Sequence, residues 1–390
     1  HQLNAQSVVS TLPTQNELGV GCGINIQATF DTTMNSATID STTFTVCGMS
    51  SGRHYGFYSY DGPTKTATFD AYIDFEPGEI VWVTLSAGIL TTGGDSINPY
   101  SWSFTTEAID GSAKFAPKKD YSTGSWPFSV FCSDLDSDGD IDLATANMVS
   151  STVSVLLNNG DGTYAPKTDY STGSNPISVF CSDLDSDGDI DLAVANYGSS
   201  TVSVLLNNGN GTYAPKTDYS TGVDPRSVFC SDLDSDGDID LAVANSNSAT
   251  VSVFLNNGDG TYAAKTDYST GNNPYSVFCS DLDSDGDIDL AVANSNSATV
   301  SVFLNNANGT YAPKTDYPTG NNPISVFCSD LDSDGDIDLA TANSWSSTVS
   351  VLLNNGDGTY AAKTDYATGN EPHSVFCSDL DSDGDIDLAV

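Results

Sequence analysis

The sequence predicts an all-β protein, with a β-sandwich of about 100 residues followed by a β-propeller of four-stranded blades. Three observations predict it. The string FCSDLDSDGDIDLA occurs six times, and its first Asp recurs every 49 residues, at Asp134, Asp183, Asp232, Asp281, Asp330 and Asp379. Apolar and polar residues alternate in short segments, with no helical period. Asn-Gly and Asp-Gly dipeptides, strong hairpin signals, separate those segments.

Residues 1–8 read as a tail and 9–107 as the sandwich. Alternating segments fall at Ile24–Phe30, Thr42–Val46, Thr66–Phe69, Ile80–Leu85 and Trp102–Thr105, bounded by Gly, Pro, Asn and Asp clusters. Residues 108–113 (AIDGSA) read as a linker and 114–390 as the propeller. In the second repeat, Ser178–Leu184 and Asp191–Asn196 are short apolar runs, and Thr201–Asn208 alternates as a strand with one buried face. Tyr213–Tyr219 carries Pro215 and Lys216, which suit an exposed edge strand. A repeat of this length with hairpin turns favours blades over a parallel β-helix, whose coils are usually shorter. Six blades are preferred, with 114–121 joining the last blade to close the ring; seven remain possible.

The composition limits the function classes. The chain has 52 Asp plus Glu against 11 Lys plus Arg, a net charge of −41, which excludes nucleic-acid binding through basic patches. With 38% hydrophobic and 10% aromatic residues, the acid is not that of a disordered tail. Thirty of the 52 acids stand in the six copies of one nine-residue loop. No apolar run is long enough to cross a membrane as a helix. The chain starts at His1 without a leader or an initiating Met, as expected of a mature secreted product.

The loop Asp134-Leu135-Asp136-Ser137-Asp138-Gly139-Asp140-Ile141-Asp142 puts Asp at positions 1, 3, 5, 7 and 9 and Gly at 6. Ca²⁺ takes six or more oxygen ligands, and alternate carboxylates folded inward supply them, while the glycine permits the sharp turn. Side-chain ligation is expected from Asp134, Asp136, Asp138 and Asp142, and carbonyl ligation from Asp140. The same roles fall to Asp183, Asp185, Asp187, Asp189 and Asp191, to Asp232, Asp234, Asp236, Asp238 and Asp240, and to Asp281, Asp283, Asp285, Asp287 and Asp289. They fall also to Asp330, Asp332, Asp334, Asp336 and Asp338, and to Asp379, Asp381, Asp383, Asp385 and Asp387. The expectation is about six Ca²⁺ ions, one per repeat. Mg²⁺ fits less well because it keeps several waters. Purely solvated acidic turns would repel themselves without a cation.

These repeats resemble the FG-GAP/VCBS family, the calcium-binding blades of integrin-α-like propellers, over residues 114–390, with DxDxDGxxD matched at every copy. Residues 9–107 resemble a bacterial Ig-like domain, through ATFDTTMNSATIDSTTFTV and VTLSAGILTTGGDSINPYSWSFTT. The resemblance implies an adhesive, scaffolding or ligand-display module, although some such propellers are appended to enzymes. Copies within this chain are more alike than is usual for the family, which suits a duplicated building unit.

No nucleophile elbow, P-loop or HExxH motif is present, and carboxylates committed to Ca²⁺ cannot serve as general acids. His1 lacks the partner histidine of a copper site, and His54 and His373 read as surface residues. Cys132, Cys181, Cys230, Cys279, Cys328 and Cys377 share one repeat position and read as small buried thiols between blades, too far apart for disulfides. Cys22 and Cys47 could pair in an oxidising compartment. Asn210 and Asn308 head glycosylation sequons on exposed turns.

The expected function is a non-catalytic, calcium-stabilised extracellular structural protein that self-associates into a homopolymeric filament, sheath or surface layer. The alternatives are an adhesin or lectin-like module that binds a cell-surface protein or glycan, and a non-catalytic part of a larger secreted enzyme. Trp126 and Trp345 occupy non-equivalent repeat positions, which weighs against a lectin cleft.

Overall fold

The computed structural model describes residues 8–49, 51–107, 118–380 and 385–390. The expected linker, most of the tail, and Asp381 and Asp383 lie outside them. Strands account for nearly all the regular structure; a single 3-10 turn, Ser36–Thr38, interrupts them among the described residues.

Two sheets form the N-terminal sandwich. One runs in the order Val8–Leu12, Ile26–Phe30, Thr66–Ala71, Gly56–Asp61; the other in the order Glu17–Val20, Tyr100–Thr106, Ile80–Leu85, Phe44–Gly48, Gly52–Arg53. Ile26, Ala28 and Phe30 point inward with Gln27 and Thr29 between them, the two-residue period of a half-buried strand. Their core is closed by Phe44, Phe69, Trp102 and Phe104. All five expected segments overlap strands, with residues 24–25 and 42–43 falling outside them. Val8–Leu12, Glu17–Val20 and Gly56–Asp61 were not expected, because their side chains are only partly covered and the apolar alternation is weak.

Each of the first five repeats is a four-stranded antiparallel sheet in chain order. The first runs from an inner strand, Pro127–Ser133, through Asp142–Asn147 and Thr152–Leu156 to an outer strand, Thr168–Ser171. In the second repeat the outer strand is Thr217–Ser220, later than expected, because Tyr213 makes only an isolated bridge to Asn207. The sixth repeat contributes two strands, Phe376–Ser378 and Asp387–Ala389. A ladder of Phe rings links the inner strands, from Phe131 through Phe180, Phe229, Phe278 and Phe327 to Phe376, with neighbouring centroids 4.6 to 4.8 Å apart.

The expected closing strand is not formed at 118–121. Those residues carry no strand, and Tyr121 sets its ring edge-on against Tyr164 of the first blade, at 5.2 Å. Val130 at the start of the array is 57% exposed where Val179, Val228, Val277 and Val326 are each 3% exposed. Phe376 at the other end is 46% exposed.

Cys181, Cys230, Cys279, Cys328 and Cys377 are buried free thiols, as expected, whereas Cys132 is exposed because no blade covers its side of the array. Cys22 and Cys47 are also free, so the suggested disulfide is not made. His54 is buried rather than on the surface, with Nε2 2.7 Å from Ser51 Oγ and Nδ1 3.2 Å from Ile73 O.

The second sandwich sheet sits on the ends of the blades that carry the Asp loops. Trp82 packs edge-on against Phe229 at 6.5 Å, Ser101 N donates to Gly286 O at 2.8 Å, and Asn16 Nδ2 donates to Gly335 O at 2.9 Å.

Candidate metal centres

Each loop bridges the inner strand and its neighbour, and it is shaped by its own aspartates. In the first, Asp134 accepts from the backbone N–H groups of Asp138 and Gly139, at 3.2 and 2.9 Å. Asp142 accepts from Leu135 N at 2.9 Å and from Asn158 N at 2.6 Å. Asp138 accepts from Asp140 N at 2.9 Å. Gly139 has φ 91°, a conformation that an L side chain rarely adopts and that makes the turn possible.

This folding brings carboxylates together. Oxygens of Asp134, Asp136 and Asp142 lie within 4.8 Å of one another, as do those of Asp183, Asp185 and Asp191, of Asp232, Asp234 and Asp240, and of Asp330, Asp332 and Asp338. In the fourth loop the converging set is Asp281, Asp283 and Asp285, with Asp287 and Asp289 outside it. The carboxylates of Asp138 and Asp140 stay out of the first cluster, as do Asp187 and Asp189, Asp236 and Asp238, and Asp334 and Asp336. Position 7 leans instead toward the next turn, with Asp189 against Gly209 and Asp238 against Gly258. In the sixth loop Asp387 accepts from Leu380 N at 3.0 Å, the contact its equivalents make, and Asp381 and Asp383 lie outside the described residues.

The clusters fit a cation. Oδ1 of Asp136, Asp185, Asp234 and Asp283, all at position 3, is buried with no hydrogen-bond partner. A buried carboxylate oxygen without a donor is expensive to desolvate, and a hard cation is the partner that an all-oxygen donor set selects. Burial pushes Asp191 up to about 8 against the lowering effect of the Asn207 and Leu184 N–H groups. It pushes Asp183, Asp281 and Asp338 up to about 7 and Asp142 up to about 6. Burial raises Asp232, Asp240 and Asp289 well above the usual carboxylate range, as neighbouring aspartates also do. Without a cation the more deeply buried of these groups hold protons near neutrality, and Asp142 does so only in mild acid; with a cation, they ionise.

Identical loops are not in identical places. Asp183, Asp232, Asp281 and Asp330 are 3 to 6% exposed, whereas Asp134 is half-buried. The sandwich makes the difference: Arg53 counters the charge of Asp183, Thr84 hydrogen-bonds Asp232, and Gln15 Nε2 donates to Asp281 Oδ2 at 2.5 Å. None of these residues is marked in the sequence. A second unexpected group is the first Asn of each Asn-Asn pair. Asn207 Nδ2 donates to Ile190 O of its own loop and to Leu135 O of the preceding one, both at 2.8 Å, and Asn256, Asn305 and Asn354 repeat this brace. Its signal was the constant Asn-Asn at the end of each alternating run.

Among known families, the FG-GAP-like repeat matches residues 134–194, 183–243, 232–292, 281–341 and 330–390, and the Bacterial Ig-like domain matches residues 3–106. No curated protein matches the chain. Among solved structures, a Bacteroides uniformis protein assigned as a 6-phosphogluconolactonase shares 17% identity at a TM-score of 0.54, covering 89% of this chain and 99% of its own. The periplasmic gluconolactonase of Pseudomonas aeruginosa shares 15% at 0.49, over 89% and 99% of the two chains. An Agrocybe aegerita lectin specific for non-reducing terminal N-acetylglucosamine shares 17% at 0.47, over 92% and 98%. At 17% identity the likeness to the Bacteroides uniformis protein speaks for the fold alone. Among the described residues no helix is long and apolar enough to cross a membrane.

Proposed function

We propose that this chain, which belongs to the FG-GAP-like repeat family, is a calcium-stabilised, non-catalytic scaffold of an extracellular or cell-surface assembly. One observation carries the reading: at the same loop position in four repeats a carboxylate oxygen is buried without a partner amid converging aspartates. Positions 1, 3 and 9 would hold the ion through side chains, as they already converge in four loops, position 5 by turning its carboxylate inward, and position 7 through its carbonyl, in six loops. Bound Ca²⁺ supplies charge neutralisation and cross-links the two strands that leave each loop. Sites of extracellular modules bind at about 10⁻⁴–10⁻³ M, so the fold would be firm outside cells and loose in cytosol. The acidic residues that dominate the chain's charge would thus serve stability, with none assigned to a reaction.

Self-association is part of the proposal, and the ends of the array support it. Val130 and Cys132 at one end and Phe376 at the other are exposed halves of an interface that the inner blades make repeatedly. A head-to-tail contact between copies is heterologous and yields open polymers unless rotation closes it. Charge opposes it, since −41 falls only to about −29 with six Ca²⁺ bound, so millimolar divalent cation would be needed.

The test is metal content and melting of the metal-free and Ca²⁺-loaded protein. Six ions per chain and a melting temperature lowered by on the order of 10 °C on chelation are expected. A melting curve that chelation leaves in place overturns the calcium reading. Light scattering in calcium at high concentration tests the polymer, and a persistent monomer overturns that part.

A further inference from the structure

The face opposite the Asp loops differs from blade to blade. The loop string is invariant, yet six repeat positions take three or more residue types; one is the small Ser, Pro or Ala after the outer-strand Tyr, and the other five differ widely in size and polarity. Two of them precede the inner strand: Ser125-Trp126, Ser174-Asn175, Val223-Asp224, Asn272-Asn273, Asn321-Asn322 and Asn370-Glu371. One lies in it, as Phe128, Ile177, Arg226, Tyr275, Ile324 or His373. The last two follow the second strand: Met148-Val149, Tyr197-Gly198, Ser246-Asn247, Ser295-Asn296 and Ser344-Trp345.

The fold gathers all five on one surface. The two turns are hydrogen-bonded side by side in each complete blade: Met148 N donates to Trp126 O at 2.9 Å, and Trp345 N donates to Asn321 O at 3.2 Å. Trp126 and Trp345, non-equivalent in sequence, therefore lie on the same rim of the array, 69% and 75% exposed. That removes the sequence-based objection to a binding face.

The outer strand Thr168–Ser171 keeps its first three residues in all five complete blades, where contacts fix them: Asp169 accepts from Ser154 Oγ at 2.6 Å and the Tyr170 ring meets Tyr213 at 5.2 Å. Trp126 sits at φ 59°, where its counterparts are mainly Asn or Asp, which tolerate that conformation. A Trp held there is strained, and strain of this kind gathers at functional positions.

We infer that this face is a binding site for an uncharged glycan, with Trp126 and Trp345 as stacking platforms. Its chemistry fits that ligand class. Asn272, Asn296 and Asn321 are exposed amides, each able to donate to and accept from hydroxyl groups, while Asn247 donates to Asp224 and leaves its carbonyl oxygen to accept. Asp224, Arg226 and Glu371 are the only Asp, Glu, Lys or Arg at the five positions, in a chain of net charge −41. Arg226 is clamped between the rings of Tyr197 and Tyr275, at 4.8 and 4.4 Å, which stiffens the middle of the surface. Rigid aromatics with adaptable amides bind at low entropic cost, and a face so poor in charge offers little to an anion or a basic protein. Variable turns on a fixed sheet scaffold are where binding specificity usually resides. The inference names a ligand class for the scaffold proposed above and relies on calcium only for rigidity.

The test is retardation of the full chain in native gels containing neutral polysaccharides (glucan, mannan, xylan, soluble chitin fragments) in millimolar calcium. At least one should retard the protein, with Trp345→Ala and Trp126→Ala each weakening retardation about tenfold and Tyr72→Ala, exposed on the sandwich, leaving it unchanged. Near-ultraviolet dichroism and the melting temperature confirm that these surface variants fold. No retardation by any member, retardation retained by the Trp126→Ala/Trp345→Ala double variant, or binding to proteins or acidic polysaccharides alone overturns the inference. The calcium-dependent melting shift should be the same in all variants, so failure of the calcium reading shows separately.

Discussion

The first Asp loop and the four that follow it have one sequence and two environments. Asp134 is half-buried at an open end of the array, and nothing lies within 4 Å of a Cβ added to Gly139, as at Gly335 of the fifth loop. Asp232 is 6% exposed beneath the sandwich, and in the fourth loop Gly286 meets the ring of Tyr100. Burial lifts Asp142 of the first loop to about 6 but Asp191 of the second to about 8. The ligand set is therefore written in the loop, while the energy with which it holds a cation depends on what lies across it. Covered loops lose more when left empty, so they should bind more tightly and release more slowly than the first.

The largest effect that separates them is removal of position 1. Asp232→Ala deletes a metal ligand, the bonds from Asp236 and Gly237, and the contact with Thr84 under the sandwich. It should lower stability in calcium by about 4 kcal/mol, against about 1–2 for Asp134→Ala, whose surroundings can rehydrate. Urea melts of the two variants measure this, and equal losses would mean that the sandwich does not distinguish the loops.

Much of this was legible beforehand. The 49-residue period fixed the blades, and the alternation in Thr201–Asn208 placed a strand that runs over Thr201–Leu205. The aspartates that converge are those the spacing picked out, although positions 5 and 7 mostly stand aside. The difference between loops was not legible, because it arises from Gln15, Asn16, Arg53 and Thr84, polar residues of another domain with no motif around them. Cys132 was misread for a related reason: its sequence matches that of the buried thiols, but it has no blade on one side. The face opposite the Asp loops is not legible in the sequence, because residues far apart in the repeat, such as Asn321 and Trp345, meet only once the strands pair.

An intermediate effect is expected from pH. In metal-free protein the raised carboxyls bind more protons folded than unfolded between their ordinary value of 3.8 and their folded values. Stability is then fully present below about pH 4 and lost as pH rises, through about 6 for Asp142 and on to about 8 for Asp191. Calcium reverses the slope on the acid side, since protons displace it from the same oxygens. Metal-free protein should melt several degrees higher at pH 5 than at pH 8, and Ca²⁺-loaded protein lower at pH 5; parallel profiles would show that the clusters do not share one ligand.

The smallest effect isolates the sandwich contact itself. Gly139 and Gly286 occupy the same loop position, at φ 91° and 93°, so alanine at either imposes similar backbone strain, about 1–2 kcal/mol. At Gly139 the new methyl enters open space. At Gly286 it would stand 2.7 and 2.9 Å from two ring carbons of Tyr100, and the ring cannot withdraw without loading the 2.8 Å bond from Ser101 N to Gly286 O. Gly286→Ala should therefore exceed Gly139→Ala by about 1 kcal/mol, the cost of crowding a packed contact. Replacing Tyr100 by Ala removes the obstacle, so Gly286→Ala in that background should return to the strain-only value, and the coupling in the double-mutant cycle measures the contact directly. Equal single costs with no coupling would show that Tyr100 does not bear on the loop, and the distinction between covered and open loops would then rest on polar contacts alone.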